Sequence, residues 1–515
     1  MEHIPLADRT QLSFVSLEGL IAADNTVRVV DAFVEKLDLT QLGFVVNKLN
    51  KEGRPSYNSK VFLKLYLYGY LNGIRSSRRL ERECVRNTEL QWLLCKLVPN
   101  YHSIADFRKE NPTALRSTFK LFVLFLKDMD LVSGSTVAID GTKVRAHNSK
   151  KNNYSPKKIE RHLKYIEEKT NEYLTQLESH DASESTVKVS NVKEKIARLK
   201  QNKIKYELLQ EQLNTSGEPQ VSTTDADARA LLVQGQVVEV SYNIQAAVDE
   251  KHKLVVATHT INRNDRNALS AIAIEAKQNL EAETITTLND KGYHNGGELQ
   301  RCKDNNITTI CASPEIVNSN EHGTTTAYLV DKFIYNKEED TYTCPQGNTL
   351  NTTGKWHSKK RTERSISYQF KKYRTSACKL CAAKHLCTGR ADGRREIERS
   401  QYAEAIEENN QRYKANPELY RKRQEWNEHI FGTIKRKWGY NHTNLKGLKK
   451  VNGEMALIMT VYNLRRCITI LGVYELIEKI NNWTPNYKGI VRLLQKMTSL
   501  NGFRAHFYFP QKFAA

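Results

Sequence analysis

Helical periodicity dominates the first 130 residues. The stretch Val61–Leu71 is apolar almost all round, which predicts a buried helix, and Asn72-Gly73 ends it. The segment that follows carries arginines at offsets of 3, 4, 7 and 11 residues from the first, so they would share one helical face. These arginines are Arg75, Arg78, Arg79, Arg82 and Arg86. A buried helix, a turn and an arginine-faced helix predict a helix-turn-helix unit that binds DNA, with a solvated charged face as the alternative.

Two further periodic runs predict a helical hairpin at residues 150–215. Apolar residues recur about every 3.5 residues in Ile159–Leu177 and again in Val192–Leu213, and the polar stretch Ser179–Ser185 separates the runs. This pattern is typical of an antiparallel pair of helices inserted into another fold.

Short β-branched runs on both sides of the hairpin predict a mixed sheet. The predicted strands are Thr136–Asp140, Val240–Val248, Leu254–Ile261, Thr284–Asn289 and Ile307–Ala312. Helices are predicted between the later strands, at Ala268–Leu280 and near Gly297–Asn305. The order of a strand, a strand hairpin, a helix, a strand, a helix and a strand fits an α/β core of ribonuclease-H type.

Composition divides the chain further. The segment from Lys355 to Arg395 holds 13 Lys and Arg against 2 Asp and Glu, a net charge of +11. The predicted domains are a helical N-terminal DNA-binding domain at 1–130, a first part of the core at 131–312, a basic cysteine-rich insertion at 313–400, a second part of the core at 401–475 and a tail at 476–515. The predicted fold is therefore a ribonuclease-H-like core, split by a helical hairpin and a basic insertion, behind an all-α N-terminal domain.

The overall charge points to a polyanionic partner. The 515-residue chain has a formal net charge of +21 and a pI near 9.4, which favours nucleic acid. No apolar run approaches the roughly 18–20 residues of a membrane span, and the N-terminus lacks a signal core, so we expect a cytoplasmic protein with no membrane partner. The odd count of nine cysteines suits a reducing compartment.

Three acids form the first candidate site. Asp140 and Asp290 each end a predicted strand, and Glu428 lies on a predicted helix. Carboxylate oxygens at one rim of a sheet could hold two Mg²⁺ or Mn²⁺ ions for phosphodiester cleavage. A turn-forming role is the alternative for each aspartate. Asp225, in a loop-like run, and Asp249, in a hairpin turn, are the rival acids.

Four cysteines form the second candidate site. Cys344, Cys378, Cys381 and Cys387 include one zinc-knuckle spacing, and they predict a structural Zn²⁺ in the basic insertion. His385 could replace one thiol, and ordinary reduced thiols are the alternative. The remaining cysteines are expected to be buried packing residues; they are Cys84, Cys95, Cys302, Cys311 and Cys467.

Motifs spread over nearly the whole chain resemble the DDE-type bacterial insertion-sequence transposases, most of all the group named IS eleven-eighty-two. The N-terminal motifs are Leu37–Leu39, Gly53–Tyr57, Leu67–Arg78 and Ile104–Arg108. The acidic motifs are Ile139–Lys143, Asp290–Tyr293 and Glu428–Lys435, and Asn463–Arg466 resembles the closing helix.

The resemblance implies that Asp140, Asp290 and Glu428 are the metal-binding catalytic triad of a ribonuclease-H-like core. It also implies recognition of terminal inverted repeats in double-stranded DNA. A Tyr-x₂-Arg-x₃-Glu-x₆-Lys signature is kept in part: Tyr420, Arg423 and Lys435 are present, but four residues separate Arg423 from Glu428. Lys435 shares a helix face with Glu428 and could hold a DNA phosphate, and Arg423 is a weaker candidate for the same role.

These observations predict a DNA transposase that performs metal-dependent strand cleavage and strand transfer at element ends. It would bind both element ends and target DNA as a homodimer or higher oligomer at the bacterial nucleoid. The alternative from another class is a catalytically inactive, transposase-derived DNA-binding protein. A general nuclease is disfavoured because large basic insertions suggest specific DNA architecture.

Overall fold

The computed structural model describes residues 10, 14–45, 56–147, 150–180, 186–233, 237–314, 324–360 and 367–490. Three sequence predictions fall partly on other positions: the Gly53–Pro55 part of an N-terminal motif, the centre of the polar stretch between the hairpin helices, and most of the predicted tail lie outside the described residues.

Six helices form the N-terminal region. They are α1 (Val27–Glu35), α2 (Ser59–Leu71), α3 (Ser77–Arg86), α4 (Thr88–Leu93), α5 (Tyr101–Glu110) and α6 (Pro112–Asp128). Asparagine side chains cap α2, α4 and α5, and Pro112 occupies the first turn of α6, where its missing N–H costs no hydrogen bond. The predicted buried helix is confirmed as α2, whose residues from Leu65 to Leu71 are all buried.

A long helical hairpin follows the first core strand. The chain runs through β1 (Thr136–Arg145), β2 (Asn153–Tyr154), α7 (Pro156–His180), α8 (Thr186–Ser216) and β3 (Val221–Ser222). The two short strands β2 and β3 pair antiparallel at the base of the hairpin, where Tyr154, Ile159 and Leu213 form a small separate hydrophobic cluster. The hairpin therefore has its own minor core.

A six-stranded mixed sheet forms the centre of the molecule. Its further strands are β4 (Arg229–Val233), β5 (Val237–Asp249), β6 (Val255–Ile261), β7 (Ile285–Asn289) and β8 (Ile307–Cys311). The order is β4-β5-β1-β7-β8, with β6 also paired to β5. Strands β4, β1 and β6 run antiparallel to β5, whereas β7 runs parallel to both β1 and β8. The mixed α/β core predicted from sequence is confirmed.

Helices cover the central sheet. α9 (Leu269–Asn279) and α10 (Gly296–Asp304) lie between the later strands, and α10 packs on α9 and β8. A long apolar helix near the C-terminal end of the described chain, Leu448–Asn482, packs against α6 and β6. The sheet thus has a buried hydrophobic interior that extends into the N-terminal helices.

The basic segment forms a second sheet that sequence periodicity did not predict. Its elements are β9 (Ile334–Asn336), β10 (Thr341–Thr343), β11 (Thr349–Thr352), β12 (His357–Lys359), β13 (Tyr368–Arg374), the short helix α11 (Lys384–Cys387) and β14 (Ile397–Ser400). Several strands are only three or four residues long, too short to show alternation, and their hydrophobic cluster is small, centred on Leu350, Tyr373 and Ile397.

Three helices complete the described chain: α12 (Ala403–Ala415), α13 (Pro417–Phe431) and α14 (Leu448–Asn482). A π-helical turn at Gly432–Lys437 continues α13, and Gly472, at φ 76°, breaks the regular backbone inside α14. Among the described residues, α14 is the one helix that is long and apolar enough to cross a membrane, by length and composition alone. From the sequence, no such span was predicted for α14. Because 56% of its most apolar window is buried within the protein, that evidence for a span is weak.

Candidate functional site

Asp140 lies in the middle of β1, which continues to Arg145, so the prediction that Asp140 ends its strand is wrong. Its side chain is 34% exposed. One carboxylate oxygen accepts a hydrogen bond from the Gly141 N–H at 2.7 Å, and the other faces the Arg423 guanidinium at 3.5 Å. Burial raises the pKa of Asp140, and the nearby negative charges of Asp265 and Asp290 raise it further, against the opposing effects of Gly141 and Arg423.

Asp290 lies beside Asp140 at the same edge of the sheet. Strands β1 and β7 are parallel, with Ile139 opposite Asn289, so the next residue of each strand is an aspartate. Asp290 also caps a short 3₁₀ turn at Lys291–Tyr293, accepting from the Lys291 N–H at 2.6 Å. The structure therefore brings together two of the three acids that the sequence singled out.

Glu428 does not join the two aspartates in this arrangement. It lies on α13, which packs over β1, β5 and β7 through the buried residues Trp426, Asn427 and Ile430. The Glu428 carboxylate is exposed and accepts a hydrogen bond from Gln424 at 2.7 Å. Across the described ranges, no group of three or more His, Cys, Asp or Glu side chains is arranged to hold a metal ion.

Arg423 is the residue of α13 that faces the aspartates. Its side chain is largely buried and contacts Asp140, and Tyr420 packs against its guanidinium. Lys435, two turns beyond Glu428, donates to the Thr142 hydroxyl at 3.1 Å and to the Lys143 carbonyl at 2.9 Å, and burial lowers its pKa. Both cations therefore contact β1, and their predicted contacts with DNA stay a prediction.

The rival acids have structural roles. Asp249 is fully buried and accepts hydrogen bonds from the backbone of Ser133, Gly134 and Lys251. Asp225 is buried beneath Tyr242, whose hydroxyl donates to it at 2.8 Å, and it also accepts from the Gly447 N–H. Each carboxylate thus organises backbone turns away from the Asp140–Asp290 pair.

Sequence reasoning missed Asp265, a third carboxylate beside Asp140. It follows β6 and accepts hydrogen bonds from Lys143, Asn243 and Gln245. The buried Tyr293 donates to the other end of the Gln245 amide, and so links this group to the Asp290 turn. No strand-end or motif signal marks Asp265, because its neighbours come from distant segments that only the sheet brings together.

The arginine face predicted near α3 requires one correction. Arg75 precedes the helix, is only 8% exposed and pairs with the buried Glu454 at 2.9 Å, so it is a core residue rather than part of a DNA-binding face. The other candidates are exposed on α3. Arg78 lies 5.0 Å from the ring centroid of Tyr101, and Arg86 pairs with Glu83. Arg78, Arg82 and Arg86 therefore remain candidates for DNA contact.

The four cysteines of the basic segment line one cavity, together with Lys384 and Arg395, but they are not arranged as a metal-binding group. The Asn348 N–H points at the Cys344 sulfur at 3.3 Å, and burial raises the pKa of Cys387. His385 is not in the lining, so the structure does not favour it as a substitute ligand. Of the other cysteines, Cys95 is exposed, at a positive φ, contrary to the expectation that all five are buried.

Two family models match this sequence. Residues 15–110 match the model described as a transposase domain (DUF772), and residues 343–468 match the model described as a transposase DDE domain. The first covers helices α1 to α5, and the second runs from β10 into α14 and includes Glu428. No curated protein and no solved structure matches the chain.

The two matches cover N-terminal motifs and the Glu428 motif, whereas Asp140 and Asp290 lie outside both matched segments. A DDE domain implies a ribonuclease-H-like fold, and the mixed sheet with paired aspartates on adjacent parallel strands is consistent with it. The finer assignment to the IS eleven-eighty-two group stays a prediction. Over residues 15–110 and 343–468, this chain is therefore similar to transposases, the second segment to their DDE domain.

Proposed function

We propose that this protein cleaves DNA at the ends of an insertion sequence and joins them to a target, with Asp140, Asp290 and Glu428 as its catalytic acids. The single observation that carries the proposal is the placement of Asp140 and Asp290 side by side on parallel strands beneath α13. The two transposase-domain matches support the reaction class, and the three acids are the residues that we propose for its active site.

The donor set suits a divalent metal at the two aspartates. Their carboxylates are hard oxygen donors, and burial together with neighbouring negative charge disfavours an ionised Asp140 unless a cation is near. Glu428 would complete the set from α13. Bound Mg²⁺ or Mn²⁺ would activate the attacking water or 3′-hydroxyl and stabilise the leaving oxygen.

The chain's own residues position this site. Arg423 holds one oxygen of Asp140, and the Gly141 N–H holds the other, so the carboxylate has a fixed orientation. Lys435 anchors the end of α13 to β1 through Thr142 and the Lys143 carbonyl. The π-helical turn that follows α13 is thereby held against the strand that carries Asp140.

Further features of the proposal concern DNA and assembly. Exposed arginines on α3 and the net +11 segment provide positive surfaces for DNA phosphates. We infer a homodimer or higher oligomer on DNA in the bacterial cytoplasm, and one structural Zn²⁺ among the four cavity thiols. The domain boundaries given from composition remain part of this proposal.

A paired assay on element-end DNA tests the catalytic assignment. Replacing Asp140, Asp290 or Glu428 with Ala should abolish Mg²⁺-dependent cleavage while gel shifts show retained binding, because the loss of a carboxylate leaves phosphate attraction intact. The triple variant should be no less active than each single variant, since the acids act as a unit.

Glu425→Ala is the matched control, because Glu425 lies on the same helix with an exposed side chain. It should cleave like the wild type. A Glu428→Ala protein that still cleaves, beside an inactive Asp225→Ala or Asp249→Ala protein that is folded, would mean that the wrong acid has been assigned. A wild-type protein that binds element ends without metal-dependent cleavage would favour the inactive DNA-binding alternative.

A further inference from the structure

Asp265 holds a fixed place at the catalytic edge of the sheet. It begins a 3₁₀ turn, Asp265–Asn267, shortly after β6. One carboxylate oxygen accepts from Asn243 at 2.7 Å and from Gln245 at 2.8 Å, and the other accepts from Lys143 at 2.9 Å. Three donors from two neighbouring strands therefore define the orientation of this side chain.

Asp265 touches the backbone that follows each catalytic aspartate. A methyl group at Gly141 would lie under 3.0 Å from Asp265 and from Gln245, which no real Cβ tolerates. On the other side, a methyl at Gly292 would be in ordinary contact with the Asp265 side chain, 3.9 Å from its Cβ. Gly141 thus leaves space for the Asp265 carboxylate, whereas a side chain at position 292 would fit beside it.

The charge of Asp265 is retained at this position. Burial alone would raise its pKa, but Lys143 and the hydrogen bonds from Asn243, Lys143 and Gln245 outweigh burial and lower it. Asp265 is therefore an anion next to Asp140, and its charge acts on Asp140 and on the buried Tyr293.

We propose that Asp265 is a positioning residue of the metal site, which holds β1, the strand that carries Asp140, against β5 and adds a fixed negative charge that attracts the cation. The inference rests on the proposed function, because it takes Asp140 and Asp290 as the metal ligands. Asp265 acts through these residues, since its own oxygens are occupied by Lys143, Asn243 and Gln245. Residues that hydrogen-bond to metal ligands and orient them typically contribute about 10- to 100-fold to metal affinity.

The test is Mn²⁺ binding to the full-length protein without DNA, followed by the electron paramagnetic resonance signal of free Mn²⁺. Asp265→Asn removes the charge at nearly constant shape and should weaken Mn²⁺ binding about 10- to 100-fold. Lys143→Gln keeps a hydrogen-bond donor for the Asp265 carboxylate but removes the neighbouring positive charge, so Mn²⁺ binding should be unchanged or tighter. Glu275→Gln is the matched control, because Glu275 is also 22% exposed and also pairs with a cation at 2.9 Å, Arg116, away from the aspartates.

The outcomes separate the inference from the proposed function. If Asp140→Ala and Asp290→Ala lose Mn²⁺ while Asp265→Asn binds it like the wild type, the role of Asp265 is wrong and the catalytic acids stand. If Asp140→Ala and Asp290→Ala bind Mn²⁺ normally, both proposals fail. If Asp265→Asn and Lys143→Gln weaken Mn²⁺ binding equally and lower the melting temperature alike, Asp265 is only a structural residue. If both variants keep the wild-type melting temperature and have opposite effects on Mn²⁺ binding, the proposal is supported.

Discussion

Arg75 should contribute to stability rather than to DNA binding. Its guanidinium donates to Glu454 at 2.9 Å and to the His442 carbonyl at 2.7 Å, and it lies 4.7 Å from the ring centroid of Tyr440. Glu454 is fully buried on α14. Two arginines pair with Glu454: Arg75 at 2.9 Å and Arg108 at 3.8 Å. Arg75→Met keeps the approximate length of the side chain but leaves Glu454 with only the more distant Arg108.

The magnitude follows from the burial of this pair. Removing one partner of a buried ion pair costs roughly 3–5 kcal/mol. Because Arg108 still compensates part of the charge, we expect the lower end, about 3 kcal/mol, which lowers the melting temperature by about 3 °C when the chain unfolds as one unit. The exposed Arg82 on α3 gives the control, and Arg82→Met should change stability by less than about 0.5 kcal/mol.

The same pair predicts a pH dependence. Burial raises the pKa of Glu454, but the charges of Arg108 and Arg75 and the hydrogen bond from Asn444 outweigh it and hold the pKa below its ordinary value. A carboxyl with a lowered pKa stabilises the fold above its ordinary pKa, and this contribution is lost as pH falls through the lowered value. In Arg75→Met the pKa of Glu454 is less depressed, so its contribution should be smaller and the loss should be complete at a higher pH.

Thermal melting between neutral and acidic pH measures both effects, and gel shifts below the melting range measure DNA binding. Arg75→Met should melt early but bind element ends like the wild type. Arg82→Met, alone or with Arg78→Met, should melt normally, bind more weakly and lose about 0.9 units of log–log salt slope per phosphate contact. Equal melting temperatures for Arg75→Met and Arg82→Met would refute the assignment of Arg75 to the core.

Two further predictions concern the cysteine cavity and α13. Cys378→Ser should remove zinc from the purified protein, as elemental analysis would report, and expose the basic segment to protease, whereas the exposed Cys95→Ser should change neither; zinc-free wild-type protein would contradict this. Asn427→Leu should raise the melting temperature, because both polar atoms of the buried Asn427 amide lack a hydrogen-bond partner, and it should lower cleavage; a destabilised variant with normal cleavage would contradict it.

The sequence predicted the parts of the fold with strong local signals. The all-round apolar pattern of α2, the heptad-like hairpin of α7 and α8, and the β-branched strands were all recognisable. The second sheet was not, because its three- and four-residue strands show no period. Arg75 was assigned to a helix face on spacing alone, yet α3 begins after it. Spacing locates residues on a helix only where the helix exists.

The candidate site, like the fold, could be predicted from the sequence only in part. Asp140 and Asp290 were identifiable because each follows a short β-branched run, although β1 continues beyond Asp140 and only the structure shows that the two strands are parallel neighbours. Asp265 was not identifiable, because its partners Lys143 and Gln245 are separated from it by 122 and 20 residues. The crowding at Gly141 was likewise not predictable, because it comes from Asp265 and Gln245, which lie far from it in the sequence.

The position of Glu428 follows from the register of α13. Residues five apart on a helix are separated by about 140° around its axis, so Arg423 and Glu428 cannot both face Asp140, whereas residues four apart share a face. Here Arg423 and the buried Asn427 occupy the inner face, and Glu428 points to solvent.

For Glu428 to join the aspartates, α13 must turn by about one residue, or 100°, which would move the unpartnered Asn427 amide outward. The π-helical turn at Gly432–Lys437, directly after α13, is the irregular segment where such a turn could be absorbed while Lys435 keeps its contacts with β1. The proposed catalytic function therefore requires an arrangement of α13 that differs from this one, and Asn427→Leu acts on the equilibrium between the two.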